Sequence, residues 1–316
     1  MKLDRGFPLV RDDSGKEYRC KHATALVKGA KQRAVVGDEV EIEMGDNADM
    51  AQIARILPRR NKLVRKDPAE RALPQVMAAN FDTVIIAHPL ADLNIRRLER
   101  ELVLAFETGA RVVVALTKAD LAGEDLAGKQ ADQVRSIVSS DVPVVVVSAE
   151  EAAGAEQLRT FIPSGSVAVL IGRSGVGKSS LVNLLAGGHV QQTTPVRESD
   201  GKGRHTTVSR EMVPIEGGGI VVDMPGVRGL GLWESQGGIE AAFPDIVALS
   251  EECRFRDCSH KNEPGCAVLE AIQKGELRAE RLESYQRLMD ESGAQDQRNV
   301  EAQRLRTRTG HPRRRS

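Results

Sequence analysis

The chain has 316 residues, 41% of them hydrophobic, and its 45 Lys/Arg are matched by 45 Asp/Glu. That length suits two or three domains, and a net charge of zero excludes any argument about partners from the global balance. There is no apolar run of the roughly 20 residues that a membrane helix needs and no N-terminal apolar segment of a secretory signal, so a cytoplasmic location without a membrane partner is expected.

Residues 1 to about 65 alternate short apolar stretches with turns. Pro8-Leu9-Val10 and Tyr18-Arg19-Cys20 flank the turn signal Asp12-Asp13-Ser14-Gly15-Lys16. Ala34-Val35-Val36, the alternating Glu39-Val40-Glu41-Ile42-Glu43 and the run from Ala51 to Leu57 follow. Some five short strands predict a small all-β barrel, an OB-fold, over residues 1–68. Residues 1–66 hold 15 Lys/Arg against 10 Asp/Glu, and the basic stretch Arg59, Arg60, Lys62, Arg65, Lys66 closes them. That stretch reads either as a contact to an RNA backbone or as a solvated linker face. With only six Phe, two Tyr and one Trp in the chain, RNA contact by charge and shape is expected rather than by stacking.

The apolar strand Arg111 to Leu116 runs into Thr117-Lys118-Ala119-Asp120. An Asp at such a strand end accepts a pair of hydrogen bonds from guanine N1–H and the exocyclic amine. Adenine would leave that carboxylate unpaired at large cost. The stem of Lys118 can lie over the base. Asn is the usual first residue of this motif, so Thr117 removes an amide. A second strand, Pro143 to Val147, ends in Ser148-Ala149, where a backbone N–H meets guanine O6. Each element alone is a weak signal; two at successive strand ends, in this order, point together to guanine.

Val167-Ala168-Val169-Leu170-Ile171 reads as a buried parallel strand. It leads into Gly172-Arg173-Ser174-Gly175-Val176-Gly177-Lys178-Ser179, a full match to G-x-x-x-x-G-K-[ST], and Ser180 opens a helix. Glycines let backbone N–H groups curl around phosphates, and the helix N-terminus adds a favourable dipole. Lys178 would reach the β- and γ-phosphates and the Ser179 hydroxyl would hold Mg²⁺. The alternative is a chance Gly-rich turn, against which the strand, the helix and the Lys-Ser pair all argue. Downstream, Gly219 to Val222 ends in Asp223-Met224-Pro225-Gly226, a D-x-x-G element. Asp223 would hold Mg²⁺ through water and the Gly226 N–H would sense the γ-phosphate. Between them lies the polar loop Ser199 to Thr207, in which Thr206 and Thr207 are nucleotide contacts and Thr207 completes the Mg²⁺ shell, unless the loop is only a solvated linker. The base reader thus precedes the phosphate loop. A central α/β P-loop GTPase domain over residues 69–245 is expected to be circularly permuted, which a parallel sheet with neighbouring termini tolerates.

Three of the four cysteines cluster as Cys253-x4-Cys258-x-His260-x5-Cys266. Three thiolates and one imidazole suit a closed, structural tetrahedral zinc site, and Pro264-Gly265 makes the turn that returns Cys266 to the others. Buried free thiols or a redox pair are the alternatives. Cys20 stands apart as a small core residue. Apolar spacings of three and four predict helix over residues 267–305, within a zinc-binding helical domain over residues 246–316. Residues 302–316 carry six Arg and no acid, and Arg304 to Ser316, too polar and basic to pack, read as a disordered tail that either meets nucleic acid or keeps the chain soluble.

Taken together the residues resemble one family, the circularly permuted RsgA/YjeQ GTPases, small ribosomal subunit biogenesis factors. The resemblance is carried by Ala79-Asn80-Phe81-Asp82, Arg97-Leu98-Glu99-Arg100-Glu101-Leu102, Gly203-Arg204-His205-Thr206-Thr207, Asp223-Met224-Pro225-Gly226-Val227-Arg228 and the Cys253/Cys258/His260/Cys266 pattern with Glu263-Pro264-Gly265-Cys266. Thr117 and the Gly229-Leu230-Gly231-Leu232-Trp233 stretch depart slightly from it. It implies an N-terminal OB-fold, a permuted GTPase domain with GTP, GDP and Mg²⁺, and one structural Zn²⁺. It also implies GTP hydrolysis stimulated by the small (30S) ribosomal subunit in its late maturation, with rRNA rather than DNA contacted by the outer domains. A monomer is the default. Where many GTPases orient water with Gln this chain has Val227, so His205 is expected to act on the water beside Lys178 and Thr207; otherwise His205 contacts RNA or packs on the switch. The competing functions are an rRNA-binding zinc protein using GTP only as a switch, and a P-loop ATPase or kinase with a chance T-K-A-D.

Overall fold

In the computed structural model, which describes residues 2–4, 7–29, 32–44, 50–66, 74–190, 212–224 and 235–293, the N-terminal segments pair into one five-stranded sheet. Its strands are β1 (Lys2–Asp4), β2 (Phe7–Arg11), β3 (Glu17–His22), β4 (Val40–Met44) and β5 (Ala51–Ile56), in the order β1-β2-β3-β5-β4. β3 and β5 run parallel and the other neighbours antiparallel. The Asp12 carboxylate organises the first turn, accepting from the Ser14 and Lys16 backbone N–H groups at 2.9 and 3.0 Å. Cys20 is buried with Ile53, Ala51, Ala23 and Leu26 in a small core of its own, and burial pushes its thiol pKa up.

Ala34-Val35-Val36 does not form the strand its composition suggests. Val36 makes a single bridge to Ala78, at the joint to the next unit. There β6 (Lys62–Lys66) pairs antiparallel with β7 (Pro74–Ala79). The joint is tightly specified. Asn61 donates to Phe81 O (2.7 Å) and accepts from Phe81 N–H (3.1 Å). Asn80 accepts from Arg60 N–H and donates to Gly37 O. Gly37 has φ +88°, and a Cβ there would overlap the Ala79 carbonyl oxygen. Arg59 clamps Asp38 with bonds of 2.6 and 2.8 Å, and Arg60 reaches Asp82 at 3.1 Å. Two residues of the basic stretch are therefore engaged within the chain, Arg59 largely buried and Arg60 still mostly exposed.

The apolar runs that follow form a six-stranded sheet. It contains β8 (Thr83–Pro89), β9 (Arg111–Thr117), β10 (Val144–Val146), β11 (Val167–Ile171), β12 (Met212–Pro214) and β13 (Ile220–Asp223), ordered β10-β9-β8-β11-β13-β12. Only β12 is antiparallel to its neighbour. Successive side chains point to opposite faces, so Ile86, Val114 and Val169 enter one core while Ile85, Val113 and Ala168 enter another. Covering both faces is what makes the strands read as unbroken apolar runs. Helices α1 (Ile95–Phe106), α2 (Glu124–Arg135), α3 (Ala155–Arg159) and α4 (Lys178–Ala186) connect them. From β8 the chain runs outward through β9 and β10 and then returns to β11 on the other side of β8, which makes the β8/β11 boundary a topological switch point.

The C-terminal part is helical: α5 (Gln236–Ala242), α6 (Pro244–Glu251), α7 (Ala267–Lys274) and a helix over residues 279–293 (α8). The single helix expected from residue 267 is interrupted, because Gly275 takes φ +75° and caps α7; residues 294–316, including the Arg-rich tail, lie outside the described residues. α8 is laced to α1 by Arg96–Glu283, Glu99–Arg281 and Arg100–Glu291. Among the described residues no helix is long and apolar enough to cross a membrane.

Candidate nucleotide site and candidate metal centre

Four of the parallel strands end on one edge of the central sheet in chemistry-bearing residues. β9 ends in Thr117, β10 leads to Ser148, β11 leads to Gly172 and β13 ends in Asp223. A cavity of about 350 Å³ opens there, lined by Thr117, Lys118, Asp120 and Ala149 from one side and by Gly177 and Ser180 from the other. Its volume falls in the range typical of small-molecule sites. Val147, Leu121 and Leu181 add apolar wall, suited to the faces of a planar base.

The phosphate-loop backbone is pressed against β8. Gly172 has φ +145°, and a Cβ there would overlap the Ala87 carbonyl oxygen, so only glycine permits this approach. Gly177 is left-handed at φ +97° and turns the chain into α4, whose N-terminal N–H groups have no intrahelical partner. Arg173, Ser174 and Gly175 are exposed around the rim, Val176 is buried, and Ser179 and Ser180 are half-buried at the first turn of α4. Lys178 is 7% exposed. Its Nζ donates to the carbonyls of Gly172 (2.9 Å) and Arg173 (3.0 Å) of its own loop. Burial lowers its pKa, opposed by Asp223 and Glu101 and reinforced by Arg97. A buried ammonium whose partners are loop carbonyls fits an anionic phosphate chain. Asp223, 8% exposed, offers a carboxylate at the neighbouring strand end.

On the base side, Ser148 is 1% exposed and donates to Asp120 Oδ1 at 2.9 Å, fixing the carboxylate. Lys118 sits at φ +58°, which sends the chain into the short helical turn Ala119–Leu121. Thr117 is not merely a lost amide. Its hydroxyl lies 2.5 Å from Val176 O and 3.3 Å from His88 O, so its one hydrogen ties the end of β9 to the loop 172–179. Sequence reasoning missed this, and it also missed a buried group behind the loop. His88 Nε2 accepts from Asn94 N–H at 3.1 Å, which leaves Nδ1 as the donor to Glu101 at 3.2 Å. Glu101 also receives Arg97 at 3.1 Å. The i,i+4 spacing of Arg97 and Glu101 was visible in the sequence; their meeting with His88 had no local signal. His205, Thr206, Thr207 and Gly226 lie outside the described residues.

The ligand atoms of Cys253, Cys258, His260 and Cys266 lie within 4.8 Å of one another. Within the set, His260 Nδ1 lies 3.4 Å from Cys266 Sγ and 3.7 Å from Cys253 Sγ, and the Cys253 and Cys266 sulfurs are 3.9 Å apart. A tetrahedral zinc with Zn–S of about 2.3 Å spaces its ligands roughly 3.5–3.8 Å apart, so the donor set fits. Desolvation and the neighbouring thiols push Cys258 up to about 11, and burial lowers His260. A divalent cation would reverse the first effect by stabilising thiolate. Glu263 shapes the loop, accepting from the Ser259 hydroxyl and from the N–H groups of Ser259, Lys261 and Asn262. These bonds, the Ser259 hydroxyl foremost, hold its carboxyl far below the usual range.

A parallel sheet with the G-x-x-x-x-G-K-S loop at its switch point, and the strands leading to Thr117-Lys118-Ala119-Asp120 and Ser148-Ala149 before that loop in the chain, is the architecture of a circularly permuted P-loop GTPase. The comparisons agree with that class and narrow it. The RsgA GTPase family profile matches residues 56–233, more than half of the chain. The Small ribosomal subunit biogenesis GTPase RsgA of Streptomyces coelicolor is 44% identical over 257 residues, covering 81% of this chain and 69% of that one. Among solved structures, YjeQ from Thermotoga maritima is similar at TM-score 0.65 and 27% identity, covering 90% of this chain and 94% of that one. YloQ, described as a circularly permuted GTPase, is similar at TM-score 0.61 and 26% identity, covering 90% and 91%. The chain belongs to the RsgA GTPase family and is a GTP hydrolase.

Proposed function

We propose that this GTP hydrolase acts on the small ribosomal subunit during its late maturation, with the nucleotide lying across the carboxyl ends of β9, β10, β11 and β13. The observation that carries the reading is the convergence of Thr117–Asp120, Ser148-Ala149, the loop 172–179 and Asp223 on one sheet edge, where Thr117, Lys118, Asp120, Ala149 and Gly177 line a cavity. The name of the Streptomyces relative supplies the subunit. In this reading Asp120 pairs with the guanine edge, Lys118 lies over the base and the Ala149 N–H meets O6. Thr117 supports the loop. Residues 172–180 cradle the phosphates, and Ser179, Thr207 and Asp223 hold magnesium. When bound, magnesium neutralises charge on the phosphate oxygens.

Hydrolysis forms a bond from water to the γ-phosphorus as the bond to the β–γ bridging oxygen breaks. Lys178 offsets the charge that develops on that oxygen. His205 orients the water, because Val227 after D-x-x-G has no polar group to do so. The three units divide at residues 1–68, 69–245 and 246–316. The strand order β1-β2-β3-β5-β4, with β3 parallel to β5, supports an OB-type barrel that meets rRNA through charge. Cys253, Cys258, His260 and Cys266 hold a structural zinc in a second rRNA-facing unit, and the protein works as a monomer in the cytoplasm. GTP turnover measured with and without small subunits tests the reading, and a His205→Ala chain that keeps full stimulated turnover would remove His205 from the mechanism. A hydrolytically incidental switch is the second reading, favoured by Val227 alone.

A further inference from the structure

We propose that Ser250 selects which ring nitrogen of His260 faces the metal, and so is the positioning residue of the zinc centre. This rests on reading Cys253, Cys258, His260 and Cys266 as zinc ligands. A histidine can ligate through either nitrogen, and the hydrogen bond made by the other one decides which. Here the two nitrogens face different surroundings. Nδ1 points at sulfur, 3.4 Å from Cys266 and 3.7 Å from Cys253. Nε2 lies 3.1 Å from Ser250 Oγ.

The direction of that last bond follows from the rest of the serine's environment. Ser250 Oγ is 2.7 Å from the carbonyl oxygen of Ile246, one turn earlier in α6. A carbonyl oxygen can only accept, so the single hydroxyl hydrogen is committed to Ile246. Ser250 therefore meets the imidazole with a lone pair, and Nε2 must carry the hydrogen. A neutral imidazole has one N–H, which leaves Nδ1 with its lone pair toward the thiolates.

Other contacts hold the ring in this pose. His260 is 7% exposed and its backbone is left-handed at φ +56°. Its carbonyl and that of Ser259 both accept from Gln286 Nε2 of α8, at 3.2 Å each. Ser250 lies in the last turn of α6 and Cys253 in the bend just past it, where the Cys253 N–H donates to the Ser250 carbonyl at 3.2 Å. The end of one helix thus supplies the group that orients the imidazole, and the bend after it a thiolate. Without the Ser250 oxygen the Nε2–H would be buried with no partner among the described residues, and the ring would be free to turn or to change tautomer.

The test is zinc affinity of the full chain by competition with a chromophoric chelator, together with the visible spectrum of the Co²⁺-substituted protein. Ser250→Ala should bind Zn²⁺ about 10–100-fold more weakly, the loss typical when a partner of a ligating histidine is removed, with shifted Co²⁺ bands. Ser250→Thr keeps both the hydroxyl and its bond to the preceding turn, and should stay within a few-fold of the parent chain. Unchanged Zn²⁺ affinity and Co²⁺ bands in Ser250→Ala overturn the proposal. So does an equal loss in both variants, which would make Ser250 a matter of packing. A histidine-selective ¹⁵N spectrum of the unmutated zinc-loaded chain decides it independently of any variant. Protonated Nε2 with metal-bound Nδ1 at His260 is expected, and the opposite tautomer refutes it. A chain that takes up no zinc at all overturns the metal reading and the proposal with it.

Discussion

Replacing Arg281 with methionine should destabilise the C-terminal helical unit by about 3 kcal/mol, the low end of the 3–5 kcal/mol typical of a broken buried ion pair. The guanidinium donates to both Asp245 oxygens, to Glu99 Oε1 and to the Ala242 carbonyl, all at 2.9 Å. It also lies 4.3 Å from the Phe243 ring centroid. The cost falls unequally on its partners. The Asp245 side chain is 38% exposed and can rehydrate, whereas that of Glu99 is 1% exposed. Glu99 Oε2 has no hydrogen-bond partner among the described residues, so Arg281 supplies the hydrogen bond that this carboxylate has. Removing Arg281 strands the Glu99 charge in the interface between α1 and α8. The methionine recovers some apolar packing, which is why the low end applies. Adding Glu99→Met removes the stranded charge and should bring the double variant back to within about 1 kcal/mol of the parent, since apolar pairs often replace buried ion pairs without loss. Urea titration of the helical signal reads this out; with m of about 1–3 kcal/mol/M the single variant's midpoint drops by roughly 1–3 M. A single variant within the error of the parent, or a double variant no better than the single, would refute the reasoning.

Further expectations concern the nucleotide site and titration. Asp120→Ala removes the carboxylate proposed to pair with the guanine edge and should weaken GTP by about 10²–10³-fold while leaving ATP unchanged, as competition binding would reveal; equal weakening of both nucleotides would contradict the assignment. Thr117→Val leaves the Val176 carbonyl without its donor and should cost about 1–3 kcal/mol in thermal stability. Thr117→Ser should restore most of it, and a Val variant as stable as the parent would show that the tie is idle. Burial, and secondarily Glu240, raise the Tyr285 pKa above 10.0. A raised folded value means that its stabilising contribution is complete below pH 10 and is lost as pH climbs through the folded pKa. Tyr285→Phe should therefore gain on the parent only at alkaline pH and should abolish the late rise in tyrosinate absorbance.

The central site was legible because each of its parts is local. A β-branched apolar run followed by a polar turn announces both a buried strand and its functional end, as at Leu116-Thr117 and Ile171-Gly172. The same holds for Cys253 to Cys266, whose spacing and Pro264-Gly265 turn fold back on themselves. What escaped the sequence depends on residues far apart in the chain. Thr117 ties to Val176, His88 to Glu101 and Arg281 to Glu99, and nothing in the local pattern marks any of them. Arg59 and Arg60 read as part of a basic stretch, yet Asp38 and Asp82 take them up. Ala34 to Val36 had strand composition, but the joint with Ala78 uses Val36 for a single bridge. The helix expected to run on from residue 267 stops because the Gly275 backbone goes left-handed, a local cue that apolar periodicity alone overrides.

GTP turnover by the purified full chain, with and without small ribosomal subunits at fixed salt, tests the account most directly. A large rise produced by small subunits and not by large ones is the predicted result. Turnover that small subunits leave unchanged, while GTP-dependent binding to them persists, would contradict a subunit-activated hydrolase and leave the nucleotide as a switch.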